Sequence, residues 1–188
     1  MVPLTTHLYR LSESIAIMLK SCGSLLWLPL IAFGLAAAGL GHAQQDRAAV
    51  LLRVVGADGA ELRVTAEEWT KLPRATTRAV DHGGAEVTFE GVPAREVLKL
   101  AGAPFGHALR GPRLSLYVLA EAPDGYKALY ALAEFDADFT DGLILVADRK
   151  NGEALSSKDG PLQMVVPWEK RQARWVRQLA VLRLGQAP

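Results

Sequence analysis

Cysteine is almost missing from this chain of 188 residues: Cys22 is the only one, and it lies near the N-terminus. Everything after it lacks a thiol with which to close a disulfide or bond a metal. Histidine is scarce as well. Of four, only His82 and His107 fall beyond residue 43, and they lack the paired spacing of a zinc site. There is no Gly-x-Ser-x-Gly elbow, no phosphate-cradling glycine loop and no dinucleotide fingerprint, so hydrolase and nucleotide chemistry have no signal. An excess of charge is lacking too. Of 21 basic and 20 acidic residues, Arg10, Lys20 and Glu13 precede residue 44, which leaves the remainder neutral. Neither a nucleic acid nor a membrane surface is therefore expected as a partner on electrostatic grounds.

What the N-terminus does have is one apolar run. Lys20 is followed by residues without formal charge to His42, with Leu25 to Leu40 as the apolar centre and Gly41-His42-Ala43 as a small-x-small cleavage site. This layout predicts a signal peptide over residues 1–43, cleaved after Ala43, and a periplasmic or secreted protein of residues 44–188. The run falls short of the roughly 20 apolar residues of a spanning helix, so membrane contact is expected only through the leader if it stays uncleaved. Met18-Leu19-Lys20 is an equally good signal start, which leaves Met1 and Met18 both open as the first residue. Cys22 would leave with the leader.

Beyond residue 43 the hydrophobic content suits one packed domain. Val50–Val55 and Glu61–Val64 flank Gly56-Ala57-Asp58-Gly59, the pattern of a hairpin. Thr65-Ala66-Glu67-Glu68 has capping-box spacing and predicts a short helix to Leu72, stopped by Pro73. Strands are predicted over Ala75–Val80 and Ala85–Phe89, around a loop Asp81-His82-Gly83-Gly84. A helix is predicted from Pro93 to Ala101, ended by Gly102. Further strands are expected at Arg113–Leu119, Tyr126–Ala131 and Leu143–Ala147, with a surface helical turn at Leu132–Phe139. Turns at Asn151-Gly152 and Asp159-Gly160-Pro161 then set up the run Leu162–Val166, and Trp175–Leu184 closes the chain as a strand. Short helices scattered among many strands predict a single mixed, β-rich α+β domain.

Four pieces occur in a telling order: Phe89-Glu90-Gly91-Val92-Pro93-Ala94-Arg95-Glu96-Val97-Leu98, then Asp124-Gly125-Tyr126, then Asn151-Gly152, then Gly160-Pro161-Leu162-Gln163-Met164-Val165-Val166-Pro167 with Arg174-Trp175-Val176. Together they resemble the molybdopterin-binding domain of sulfite-oxidase-type oxidoreductases over roughly Val87 to Leu184. The resemblance implies that fold, with molybdopterin as its cofactor and a molybdenum held by the pterin dithiolene and one protein cysteine.

The matching ground for that cysteine, Thr76 to Gly84, contains none. A thiolate is a soft ligand that a hydroxyl does not replace without changing the metal's electronics. Pro161-Leu162-Gln163 stands where relatives often have Pro-Leu-Arg, so a two-handed oxyanion grip is missing. Asp159-Gly160 likewise stands where they often have His-Gly. The candidate cofactor-binding residues are Asp81, His82, Asp124, Tyr126, Asn151 and Arg174, with no metal ligand set and catalytic residues unknown. Each has a plainer reading: Asp81–Gly84 as a polar loop, Asp124 and Tyr126 as a turn with a half-buried ring, Asn151 as a turn residue. Lys170, Arg171, Arg174 and Arg177, beside Trp168 and Trp175, form either an anion-holding rim or a solvated face.

These readings lead us to expect no bound cofactor and a binding module for a small anionic ligand or an envelope protein partner. The alternative is a periplasmic molybdenum-cofactor oxidoreductase with non-cysteine ligation, through Asp81. A purely structural subunit of an envelope assembly is the third possibility.

Overall fold

A computed structural model describes residues 49–188, and the expected leader lies outside them. Ten strands form two five-stranded sheets. The first has the order β2-β1-β10-β5-β6, built from β1 (Val50–Val55), β2 (Glu61–Thr65), β5 (Leu116–Glu121), β6 (Lys127–Ala131) and β10 (Val181–Gln186). Only β1 and β10 run parallel in it. The second sheet is antiparallel, with β3 (Ala75–Val80), β4 (Glu86–Pro93), β7 (Leu145–Lys150) and β8 (Glu153–Ala154) in line, and β9 (Gln163–Val165) also paired with β7. With two short helices, α1 (Ala66–Thr70) and α2 (Ala94–Leu100), this is the mixed, β-rich α+β domain that the pattern predicts.

Local chemistry explains most boundaries. The Thr65 hydroxyl accepts from the Glu68 amide at 3.3 Å while the Glu68 carboxylate accepts from the Thr65 amide at 2.8 Å, so the capping box starts α1 as read. Gly102, at φ +77°, ends α2, and the Ala103 amide donates back to Leu98 O. Gly91 has a different reason to be glycine. A Cβ there would meet the Val146 carbonyl oxygen at 2.0 Å, because β4 shifts register and presses on β7 at that point.

Several expected elements are displaced. Pro93 ends β4 and caps α2 rather than opening it, since its ψ of 126° is not helical. The strand expected at Arg113–Leu119 begins only at Leu116, because Gly111 and Pro112 start a 3-10 turn over Gly111–Ser115. The helical turn expected within Leu132–Phe139 forms as a 3-10 turn over Leu132–Phe135, but it is not a surface feature. Leu132 and Phe135 enter the core, and Asp136 is fully buried, accepting from the Gly106 and Asp138 amides and facing Arg95 Nη2 at 3.4 Å. The second turn closes on the Ser156 carbonyl, which accepts from the Asp159 and Gly160 amides, rather than on a left-handed Gly160. Trp175–Ala180 is a buried connector rather than strand: Met164 N donates to Val176 O and Leu179 N to Leu162 O, laying it beside β9 before β10 starts at Val181.

Valine, leucine and aromatic side chains from both sheets, among them Phe89, Tyr130, Leu145, Met164 and Leu182, fill one core. The sheets therefore present their loops at a shared rim.

Candidate functional site

Three segments meet at that rim. The loop after β3 brings Asp81 and His82 from the second sheet. The β5–β6 turn brings Asp124 and Tyr126 from the first. Between them runs the connector Gln172–Arg177. The resulting cleft, about 330 Å³, is lined by His82, Asp124, Tyr126, Gln172, Ala173, Trp175 and Arg177. A smaller compartment of about 140 Å³ shares His82, Trp175 and Arg177 with it and is lined also by Asp81, Phe89, Lys150, Lys158, Asp159 and Gln163.

The connector is fixed from both sides. Tyr126 and Tyr130 hydroxyls donate to the successive carbonyls of Ala173 and Arg174, and the Gln172 amide donates to Val80 O at the end of β3. One short segment thus ties β6 of the first sheet to β3 of the second. Trp175 is buried, its Nε1 donating to Val166 O at 3.1 Å, and its ring meets Phe89 edge-to-face at 5.7 Å and the His82 ring at 6.5 Å. The aromatic wall is therefore set by packing rather than by a ligand.

Asp81 organises its own loop. Its Oδ1 accepts from the Gly83 and Ala85 amides at 2.8 and 3.1 Å, and its Oδ2 from Lys150 Nζ at 2.6 Å. The Lys150 bond, then the loop amides, hold its carboxyl below the usual carboxylate range. Both oxygens are thus engaged. Asp124 accepts from the Tyr126 amide at 2.9 Å, as an Asx turn does, and the Tyr126 ring stays half-exposed over the cleft.

Three of the six candidate residues, His82, Asp124 and Tyr126, line the cleft, and a fourth, Asp81, lines the smaller compartment that shares His82 with it. The other two do neither. Asn151 sits at φ +52° in the β7–β8 turn, where its Oδ1 accepts from the Thr88 amide at 2.9 Å and so fastens the hairpin to β4. The Arg174 guanidinium turns away from the cleft. Its Nε donates to Glu169 Oε1 at 2.6 Å, its Nη2 to Glu134 Oε2 at 2.9 Å and its Nη1 to Leu129 O at 3.1 Å, with its plane 4.7 Å above the Tyr130 ring. The Glu134 bond foremost, and Glu169 with it, push its proton affinity further up. From the cationic group of the connector, only Arg177 lines both compartments.

Sequence reasoning missed Lys150, Lys158, Trp175 as a wall, and above all Gln163 as a lining residue. The signal for Gln163 was present: it is the one polar side chain in the run Leu162–Val166, and it is only 3% exposed. A polar residue in a buried strand calls for a partner.

The cleft offers ammonium, guanidinium, amide, imidazole and phenol groups. It has no thiol, and no three His, Cys, Asp or Glu residues stand together as a metal site among the described residues. The donor set suits the anionic organic part of a pterin cofactor. It does not fit a protein–metal bond of the thiolate kind, and both Asp81 oxygens are already hydrogen-bonded within the fold.

No curated protein matches the chain. Among solved structures it is similar to the sulfane dehydrogenase SoxCD from Paracoccus pantotrophus, with a TM-score of 0.58 and 22% identity. That likeness covers 74% of this chain and 39% of that one, so this chain spans well under half of that protein's length. It establishes a shared sulfite-oxidase-like fold. The sequence profile of the oxidoreductase molybdopterin binding domain matches residues 41–186, which takes in both sheets and every segment of the cleft. The chain belongs to the oxidoreductase molybdopterin binding domain family.

Proposed function

We propose that this member of the family is a binding module for a small anion, held in the cleft between the β3 loop and the β5–β6 turn, and that it performs no molybdenum redox catalysis. The observation that carries the reading is the pairing of a preformed cleft, lined by Trp175, Arg177 and Lys158, with a lining that has no thiol and no cluster of three metal-ligating side chains among the described residues. Without a bound redox cofactor, these side chains have no electron-transfer chemistry of their own.

The rigid connector supports binding rather than turnover of shape. Its anchors at Tyr126, Tyr130 and Gln172 preorganise the wall, which lowers the ordering cost of capturing a ligand. The apolar leader supports placement in the periplasm or outside the cell, where the ligand or an envelope protein partner would be met.

The test is elemental and pterin analysis of the full chain, produced in a host that makes the molybdenum cofactor. Molybdenum well below one atom per chain, with no pterin fluorescence on release, is the expected result. Stoichiometric molybdenum with pterin would instead establish the oxidoreductase reading. Retention of that metal in Asp81→Ala would then exclude Asp81 as its ligand.

A further inference from the structure

The smaller compartment carries a group that the larger cleft lacks, the Gln163 amide. Gln163 opens β9 opposite Ala147 of β7, and at 3% exposure its side chain belongs to the interior by position. Yet its amide is not sealed there. It lines the compartment, so its polar atoms are open to that space rather than enclosed. An amide held in place by its strand and open on one side is preorganised to pair with an acceptor that enters the compartment.

Charge narrows what that group is. Lys150 pairs with Asp81 at 2.6 Å, and Arg177 faces Asp159 at 3.8 Å. Lys158, the remaining cation of the lining, makes no ion pair among the described residues. One positive charge is thus left uncompensated beside a neutral amide. A guanidinium at position 163 would add a second positive charge and a two-pronged donor; glutamine adds neither.

We infer that the smaller compartment selects a small monoanion bearing a carboxylate head, with the Gln163 amide and the Lys158 ammonium donating to its two oxygens, and that Gln163 sets this selectivity against dianions. A carboxylate brings one charge to meet one and supplies an acceptor for the amide. A sulfate brings a second charge for which the lining, with Lys150 and Arg177 already facing carboxylates, holds no further unpaired cation. This inference rests on the anion-binding reading above and assigns its ligand class.

Isothermal titration of the full chain at pH 7 and fixed ionic strength, with acetate and with sulfate as probes, tests it. Acetate is expected to bind at least tenfold more tightly than sulfate. Q163L and K158M are each expected to weaken acetate roughly tenfold, the size of one hydrogen bond to a charged group. Q163R is expected to reverse the preference toward sulfate. Circular dichroism melting of each variant separates lost binding from lost folding, and K158M, at an exposed position, keeps the test available if the buried changes unfold the chain. Sulfate bound as tightly as acetate, or acetate binding unchanged in Q163L and K158M, overturns the inference and leaves the anion reading standing. Binding of neither probe overturns both.

Discussion

Arg174 and Arg177 lie on one connector, three positions apart, and do opposite things. On the side facing β6, the Arg174 guanidinium is taken up by Glu134, Glu169, the Leu129 carbonyl and the Tyr130 ring. On the side facing the cleft, Arg177 is exposed and its ion-pair partner among the described residues, Asp159, stands at 3.8 Å. The same contrast holds across the molecule. In β7, for example, Asp148 accepts from both Arg74 and Trp69, whereas the smaller compartment leaves Lys158 and Gln163 open. Saturated groups fix a shape and open groups await a partner. Substitutions on the two sides should therefore fail differently.

The largest expected effect is on the scaffold side. Gly91→Ala places a Cβ at 2.0 Å from the Val146 carbonyl oxygen and 2.6 Å from Ala147 Cα, both backbone atoms of β7 that no rotamer change can move. The sheet must separate at its central pair, and we expect a loss of about 3 kcal/mol or more in urea unfolding. A variant that keeps its unfolding midpoint would show that β4 and β7 are not so tightly apposed.

Next comes the pair that defines the contrast. Arg174→Ala leaves Glu134 and Glu169 without their cation, and should cost about 2–3 kcal/mol after allowance for partial exposure. Arg177→Ala should change stability by no more than about 0.5 kcal/mol, as at most exposed sites, while weakening acetate binding measurably. Equal destabilisation by both would erase the distinction between the two sides of the connector.

Much of the scaffold is legible from sequence because its signals are local. The Thr65–Glu68 box, the Asn151-Gly152 turn and the Gly102 stop each depend on a few neighbouring residues, and each stands where the spacing places it. The Gly91-Val92-Pro93 motif is equally visible, but its reason is not: the contact with Val146 is a tertiary one. The displaced elements have the same origin. Trp175–Ala180 looks like strand because it is apolar, yet it is apolar in order to pack beside β9. Leu132–Phe139 looks like surface because it is acidic, yet Asp136 is buried to receive the Gly106 amide. In the cleft, Asp81, His82, Asp124 and Tyr126 were findable through a family pattern. Lys150, Lys158 and Gln163 come from separate strands and loops, and only the fold brings them together. Arg174 is the converse case, for a guanidinium beside tryptophans gives no hint in sequence of whether carboxylates already hold it.

The smallest effect sharpens the comparison through pH. Burial works against ionisation of Asp148, but the Arg74 guanidinium at 2.6 Å and the Trp69 indole N–H at 2.6 Å outweigh it and hold its carboxyl below the ordinary value. A group whose proton affinity falls on folding stabilises the native state above the carboxyl's unfolded pKa of about 4, and that stabilisation is lost as pH drops through the lower, folded value. The native chain should therefore weaken progressively on acidification below about pH 4. Asp148→Asn keeps an acceptor for Trp69 and loses the charge facing Arg74. It should lie about 1 kcal/mol below the native chain at pH 7 and close that gap as the medium is acidified. Urea midpoints of both proteins between pH 7 and pH 3 measure this. Parallel curves would mean that Arg74 and Asp148 form a surface pair of no consequence, and that the scaffold holds its charges no more tightly than the cleft does.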